Sequence, residues 1–317
     1  QASVRIRFAG DSGDGMQLAG ARFSDASAIF GNDLATLPNY PAEIRAPAGT
    51  IPGVSSFQIH IASRDILTPG DHPDVLVAMN PAALKANIAD LAPAGTIIVN
   101  TDAFDERNLS RADYEENPLH DGSLDGYEVI EVPMEELTKE AVKDSGVKGR
   151  AVLRSKNFFA LGLLAWMFSR PTEPTIGWIE RKFQDEAVRA ANLSAFRAGF
   201  NFGITTQVFR YTIEVKPADL PTGTYANVTG NQTVAWGLIA AAQQAKLPLF
   251  YASYPITPAS DVLHELSRHR NFGVRTYQAE DEIAAVGVAL GASFAGHLGV
   301  TGTSGPGVAL KSETISP

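Results

Sequence analysis

An α/β protein built on a mostly parallel sheet is the fold class this sequence predicts, and three observations predict it. Short apolar runs alternate with stretches of helical periodicity along the whole chain. Two of the runs, 74–79 and 95–100, are apolar almost throughout, as in strands buried on both faces. Turns rich in glycine or proline separate the runs from the helices, the grammar of strand–helix–strand units.

Residues 4–9 read as the first strand. They enter the turn Gly10-Asp11-Ser12-Gly13-Asp14-Gly15 and then a helix over 16–30 with small residues on one face. A second strand is expected over 54–62 and a third over 74–79. Asn80-Pro81 begins a helix to about residue 91, with proline at an early position. Strands over 95–100 and 127–132 and long helices over 155–168 and 186–202 complete a first domain, 1–204. The composition then changes. Lys216-Pro217-Ala218-Asp219-Leu220-Pro221-Thr222-Gly223 falls within an expected linker, 205–228.

A second α/β pattern fills 229–317. It reads as a helix to about residue 245, a strand over 247–253, a proline-rich turn, and a helix over 261–269 that Ser260 can cap. A strand over 274–278, a helix over 281–295 and a strand over 298–303 follow, and Gly305-Pro306-Gly307 opens a last helix. So few strands make an incomplete α/β unit, so this domain is expected to be truncated and the protein to continue.

The 317 residues carry 26 Lys+Arg against 35 Asp+Glu, a formal net charge of −9. That balance argues against nucleic acid or an anionic membrane as partner. With no cysteine, the chain holds no disulfide, no thiolate metal site and no cysteine-ligated iron–sulfur cluster. The longest apolar run, 158–168, is too short to span a bilayer. The N-terminal residues enter a strand pattern at once, without a signal-peptide pattern. A soluble cytoplasmic protein is the expectation. The six histidines show no metal-ligand spacing, so no metal site is expected in this chain.

Three segments of the second domain carry candidate chemistry. In Tyr254-Pro255-Ile256-Thr257-Pro258 both prolines fix their own φ and push the preceding residue toward extended geometry. The turn is therefore stiff and follows a strand, the edge where open α/β sheets bind ligands. Thr257 presents a hydroxyl between rigid neighbours; a tight turn without a ligand is the alternative reading. Glu280-Asp281-Glu282 opens a helix, where negative charge is favoured. Asp281 reads as a cap. Glu282 precedes ten small or apolar residues, among which Gly287 and Gly291 share a face. Each glycine costs helix stability, so close approach of another backbone is expected there. Glu282 is then expected to be poorly solvated. Gly302-Thr303-Ser304-Gly305-Pro306-Gly307 ends at a helix N-terminus and suits close ligand approach, an anion, or a plain turn. In the first domain the turn over 10–15 departs from the dinucleotide fingerprint, and its aspartates would repel phosphate. A turn that merely packs helix on sheet is its rival reading.

Tyr254-Pro255-Ile256-Thr257-Pro258, Gln278-Ala279-Glu280-Asp281-Glu282 with Gly287, Gly291 and Gly296, and Thr303-Ser304-Gly305-Pro306-Gly307 together resemble the α subunit of 2-oxoacid:ferredoxin oxidoreductases. The resemblance covers the chain after the linker and implies a thiamine-diphosphate pyrimidine-binding domain. It implies that Glu282 activates the pyrimidine and that Thr257 lies beside substrate and thiamine, with Tyr254, Pro255 and Ile256 in the same site. The turn over 10–15 and Pro38-Asn39-Tyr40-Pro41-Ala42-Glu43-Ile44-Arg45 resemble the γ domain of the same family, although Ala46-Pro47-Ala48-Gly49 follows where the family often has two glycines. A γ domain fused ahead of an α domain is similar to the two-subunit branch that includes 2-oxoglutarate synthases.

That resemblance implies further expectations. Arg45 would pair with a substrate carboxylate, and Gly13 and Gly15 would contact coenzyme A, the co-substrate. A partner β subunit would share the thiamine diphosphate and carry Mg²⁺ and a 4Fe-4S cluster. Ferredoxin would dock on that subunit, in a dimer of αβ heterodimers. The implied reaction converts 2-oxoglutarate and coenzyme A to succinyl-CoA and CO2 while reducing ferredoxin. A pyruvate or broad-specificity oxidoreductase, a transketolase-like subunit and a non-catalytic assembly module are the alternatives.

Overall fold

A computed structural model describes residues 1–41, 46–206 and 212–316. The chain divides into two compact units, Gln1–Gly223 and Thr224–Pro317.

In the first unit, strands β1 (Ser3–Asp11), β2 (Asp33–Asn39), β3 (Val54–Ala62), β4 (Val75–Ala78), β5 (Thr96–Asn100) and β6 (Glu128–Val132) form one six-stranded sheet in the order β2-β3-β1-β4-β5-β6. The ladders joining β1, β4, β5 and β6 are parallel; β3 runs antiparallel to both β1 and β2. Its helices are α1 (Met16–Phe30), α2 (Pro81–Asn87), α3 (Glu106–Arg111), α4 (Met134–Val142), α5 (Lys156–Met167), α6 (Glu173–Lys182) and α7 (Glu186–Thr205). The mostly parallel α/β class is as expected, while β2, α3, α4 and α6 are additions to the expected elements.

Strands β4 and β5 are buried along their whole length, which is why they read as continuous apolar runs. Successive side chains alternate between two cores. Ile6, Phe8, Val75, Val77 and Ile98 meet Phe23 of α1, Phe159 of α5 and Phe196 of α7. Leu76, Ala78, Ile97 and Val99 meet Ala83 and Leu84 of α2 and Phe104. Helices α5 and α7 touch backbone to backbone. A Cβ on Gly162 would fall 1.9 Å from the Phe196 carbonyl oxygen, and one on Gly199 1.9 Å from the Phe159 carbonyl oxygen.

Part of the stretch expected as linker is packed on the first unit. Ile213 and Val215 are buried in its core. The Asn32 side chain donates to the carbonyls of Val215 and Lys216 at 3.2 and 2.7 Å, and the Ala218 N–H donates to the Gly31 carbonyl at 2.8 Å. Arg170 joins this clasp through Asn32 Oδ1 and the Val215 carbonyl. Burial pushes its guanidinium down to about 10.

The second unit contains α8 (Gly230–Ala245), β7 (Leu249–Ser253), α9 (Ser260–Ser267), β8 (Arg275–Gln278), α10 (Glu282–Phe294), β9 (Leu298–Thr301) and the short helices α11 (Gly307–Leu310) and α12 (Ser312–Ile315). Its three strands form a parallel sheet in the order β8-β7-β9. Ala235, Ile239 and Ala242 of α8, Leu249 and Tyr251 of β7, and Val262 and Leu266 of α9 make its core. A capping box between Thr229 and Gln232 starts α8. Ser260 does not cap α9: the cap position is Ala259, and Ser260 Oγ instead accepts from the Ile256 N–H at 2.8 Å and donates to the Ile256 carbonyl at 3.0 Å. The serine thus closes the proline-rich turn from inside the helix. Among the described residues no helix is long and apolar enough to cross a membrane.

Candidate functional site

The three motifs of the second unit all follow the C-terminal ends of its parallel strands. Tyr254-Pro255-Ile256-Thr257-Pro258 follows the central strand β7, Ala279 to Glu282 follows β8, and Gly302 to Gly307 follows β9. Parallel order therefore collects at one sheet edge three segments that the sequence keeps apart.

Specific contacts bind them. The Ala279 N–H donates to the Ser253 carbonyl at 2.7 Å, joining the β8 and β7 edges. Tyr254, Ala279 and Ala285 form a buried apolar cluster, with Ile256 and Ala284 packed on it. The Tyr254 hydroxyl is hydrogen-bonded to Thr303 Oγ1 at 2.8 Å, and Ser253 Oγ donates to the Gly302 carbonyl at 3.2 Å, joining β7 to the turn after β9. Glycine is required on that side. A Cβ at Gly302 would lie 2.0 Å from the Tyr251 hydroxyl, and one at Gly307 1.9 Å from Thr303 Oγ1 and 2.9 Å from the Tyr254 hydroxyl. The Asn231 side chain, at the start of α8, donates to the Pro258 carbonyl at 3.0 Å and holds the proline-rich turn from outside.

Of the residues expected in the site, Tyr254 is buried, Ile256 half-buried, and Pro255 and Thr257 exposed. Asp281 is the N-cap of α10 and accepts from the Ala284 N–H at 2.8 Å, as expected. Glu282 is the first residue of α10 and half-buried. Part of α10 has an open face. A Cβ at Gly287 or Gly291 would meet nothing within 4 Å, so no backbone of this chain approaches them among the described residues. Ile283, Leu290 and Phe294 are exposed on the same helix.

One residue that the sequence reading missed belongs here. Lys311, between α11 and α12, is 2% exposed, and its N–H donates to the Gly307 carbonyl at 3.2 Å. Burial pushes its ammonium below the usual lysine range, and the Glu282 carboxylate pulls the other way. A lone lysine one turn after Gly305-Pro306-Gly307, amid small and apolar residues, was the signal in the sequence.

The expected residues of the first unit lie apart from this edge in the sequence. Gly15 has φ 74°, and Asn157 Nδ2 occupies the place of a Cβ at 2.4 Å; Gly13 is exposed with open space around it. The aspartates have structural partners. Asp14 accepts from the Asp11 N–H at 2.9 Å and pairs with Lys156 at 3.0 Å, which also reaches Glu135 at 3.3 Å. Burial opposes the Lys156 charge, but Asp14 and Glu135 hold its pKa above the usual lysine range. Asp11 accepts the Gly49 N–H with both carboxylate oxygens, at 3.1 and 3.0 Å. Burial raises its pKa against that hydrogen bond. Arg45 lies outside the described residues. Among the described residues no cluster of His, Cys, Asp or Glu could hold a metal ion.

Comparison with known proteins identifies the family of the chain. The family model for pyruvate ferredoxin/flavodoxin oxidoreductase matches residues 5–202, and that for pyruvate flavodoxin/ferredoxin oxidoreductase, thiamine diphosphate-binding, matches 241–316. The chain is 58% identical over 314 residues to the 2-oxoglutarate oxidoreductase subunit KorA of Mycobacterium tuberculosis, covering 99% of this chain and 48% of the relative. It is 24% identical over 299 residues to the 2-oxoacid:ferredoxin oxidoreductase 2 alpha subunit of Aeropyrum pernix, covering 87% and 44%. A solved 2-oxoglutarate:ferredoxin oxidoreductase from Magnetococcus marinus, with 2-oxoglutarate, coenzyme A and succinyl-CoA bound, superposes with a TM-score of 0.70 at 30% identity, over 99% of this chain and 50% of that one. The chain spans about half the length of these relatives. By the extent of the first family model, the chain belongs to the pyruvate ferredoxin/flavodoxin oxidoreductase family.

Proposed function

We propose that this chain is the α-type part of a thiamine-diphosphate-dependent 2-oxoacid:ferredoxin oxidoreductase that oxidatively decarboxylates 2-oxoglutarate with coenzyme A, giving succinyl-CoA, CO2 and reduced ferredoxin. The observation that carries the reading is the joining of three motifs at one parallel-sheet edge, with a half-buried glutamate at a helix start among them. The 58% identity to a 2-oxoglutarate oxidoreductase subunit supports the choice of substrate.

The donor set fits the pyrimidine end of the coenzyme. Glu282 offers one carboxylate to a ring nitrogen, Pro255 and Ile256 offer flat apolar surface, and Thr257 offers an exposed hydroxyl. When bound, thiamine diphosphate would supply the electron sink that lets the 2-oxoacid lose CO2. In this reading Glu282 holds and returns the proton at the ring nitrogen. Thr257 donates a hydrogen bond to the 2-oxoacid. The Tyr254–Thr303 pair keeps the two flanking turns at fixed separation, so both groups are in place before substrate arrives.

The chain has no cysteine, so cluster ligands of that kind must come from elsewhere. We assign the 4Fe-4S cluster, Mg²⁺ and the diphosphate site to a partner β subunit in a dimer of αβ heterodimers. The ferredoxin surface lies on that subunit too, given the net charge of −9 here. Coenzyme A contact at Gly13 and Gly15 and substrate contact at Arg45 belong to the same proposal. The test is Glu282→Gln in the assembled enzyme, read by 2-oxoglutarate-dependent viologen reduction with pyruvate as comparison. Loss of turnover is expected. Wild-type turnover by the variant defeats the assignment, and a preference for pyruvate defeats the substrate.

A further inference from the structure

An exposed hydroxyl is only as well placed as the backbone that carries it. Thr257 is exposed, and its hydroxyl has no protein partner among the described residues. Two side chains fix the backbone on either side of it. Ser260 works from α9: its Oγ accepts from the Ile256 N–H at 2.8 Å and donates to the Ile256 carbonyl at 3.0 Å. Asn231 works from α8, 27 positions away: its Nδ2 donates to the Pro258 carbonyl at 3.0 Å. The Asp261 N–H reaches the same carbonyl less closely, at 3.3 Å. Thr257 lies between the two residues so held.

The start of α8 does not itself need Asn231. The Gln232 N–H donates to Thr229 Oγ1 at 3.3 Å and the Thr229 N–H to Gln232 Oε1 at 2.9 Å, so those two residues cap the helix. Asparagine is also a poorer helix former than alanine. Nor is Asn231 needed to fasten α8 to α9. Ala235, Ile239 and Ala242 share a core with Val262 and Leu266, and Trp236 Nε1 donates to Glu265 Oε1 at 2.9 Å. What the amide adds to this platform is a grip on the residue after Thr257. Alanine at 231, or aspartate, which accepts but does not donate, would leave cap and core in place and release that carbonyl.

We propose that Asn231 is a positioning residue for Thr257: by holding the Pro258 carbonyl it sets where the Thr257 hydroxyl meets the 2-oxoacid. The inference rests on the role given to Thr257 above, and Asn231 acts through the turn alone. Supporting hydrogen bonds of this kind keep a reacting group in place before substrate arrives. Displacing such a group by about 1 Å can cost up to about 100-fold in rate. Ser260 holds Ile256 separately. Loss of the Asn231 bond therefore moves the substrate side of the turn and spares its coenzyme side.

The experiment measures kcat/KM for 2-oxoglutarate by viologen reduction, and thiamine diphosphate affinity by calorimetry, in the assembled enzyme as wild type, N231A, N231D, N231Q, T257V and N231A/T257V. N231A and N231D are expected to lose roughly tenfold in kcat/KM while coenzyme affinity is kept. N231Q retains a donor and is expected to lose less than N231D. Once Thr257 is valine, N231A is expected to add no further loss. Wild-type kcat/KM in N231A and N231D, losses that multiply in the double variant, or a fall in coenzyme affinity that matches the fall in kcat/KM overturns the proposal. If N231A does not assemble, N231D and N231Q decide: loss in the first with retention in the second supports it, and equal behaviour overturns it. T257V separates the two levels. Normal kcat/KM there defeats the role of Thr257 itself, whereas an impaired T257V beside unaffected N231A and N231D defeats the role of Asn231 only.

Discussion

Replacing Gly162 by alanine tests the packing on which the first unit depends. The new Cβ would lie 1.9 Å from the Phe196 carbonyl oxygen, 2.9 Å from its carbonyl carbon and 3.0 Å from the Phe200 nitrogen. A carbon–oxygen contact needs about 3.3 Å, so α5 and α7 must separate locally by roughly 1.4 Å. All three atoms are backbone, so no rotamer change relieves the overlap. Overpacking of this kind costs about 1–3 kcal/mol, sometimes more. The better helix propensity of alanine returns about 1 kcal/mol. A net loss of about 1 kcal/mol follows, which for a unit of this size lowers the midpoint by roughly 2–4 °C. Thermal unfolding followed at 222 nm and by the fluorescence of Trp166 and Trp178 reads it. Gly199→Ala should behave alike, since its Cβ meets the Phe159 carbonyl oxygen at 1.9 Å. The double variant should lose less than the sum, because one separation of the helices serves both. A Gly162→Ala midpoint at or above wild type refutes the reasoning.

Four further outcomes are expected. Tyr254→Phe removes the hydroxyl bonded to Thr303 and should cost about 1 kcal/mol, with a larger proportional loss of thiamine diphosphate affinity than of stability, compared by calorimetry and urea denaturation. Gly307→Ala drives a Cβ into Thr303 Oγ1 and should weaken coenzyme binding more than Tyr254→Phe does in the same assay. Lys156→Met leaves the half-buried Asp14 and Glu135 without their cation and should cost about 3 kcal/mol, seen in urea midpoints near neutral pH. Glu265 is held below the usual glutamate range by hydrogen bonds from His269 first and then Trp236. Its stabilising contribution is therefore present above the ordinary value of 4.5 and is lost as pH falls through its lower folded value. Glu265→Gln should flatten the acid limb of second-unit stability, followed by Trp236 fluorescence.

Elements with local signals were legible in the sequence. Helix α1 and strand β3 coincide with the expected 16–30 and 54–62 because glycine turns and apolar runs bound them. Strand β2 was not legible: Asp33 to Asn39 contains Pro38 and is largely exposed, and only an edge position beside β3 tolerates that. The stretch read as linker has proline and glycine, but partners remote in sequence hold it on the core: the Met167 carbonyl binds Ile213, and Asn32 and Arg170 bind Val215. The same distinction runs through the site. The stiff turn, the cap at Asp281 and the glutamate after it are local chemistry. The Tyr254–Thr303 link depends on strand order β8-β7-β9, which no spacing encodes. The neighbour that the helical cost of Gly287 and Gly291 suggests is not supplied by the described residues of this chain.

That open face of α10 has a practical bearing on handling. Ile283, Leu290 and Phe294, the last 87% exposed, flank two glycines that shield nothing. Contiguous oily surface of this kind sticks to itself and to resins. Salts excluded from protein surfaces strengthen that tendency, so ammonium sulfate should bring this polypeptide out of solution early, while low salt and its own negative charge keep it dispersed.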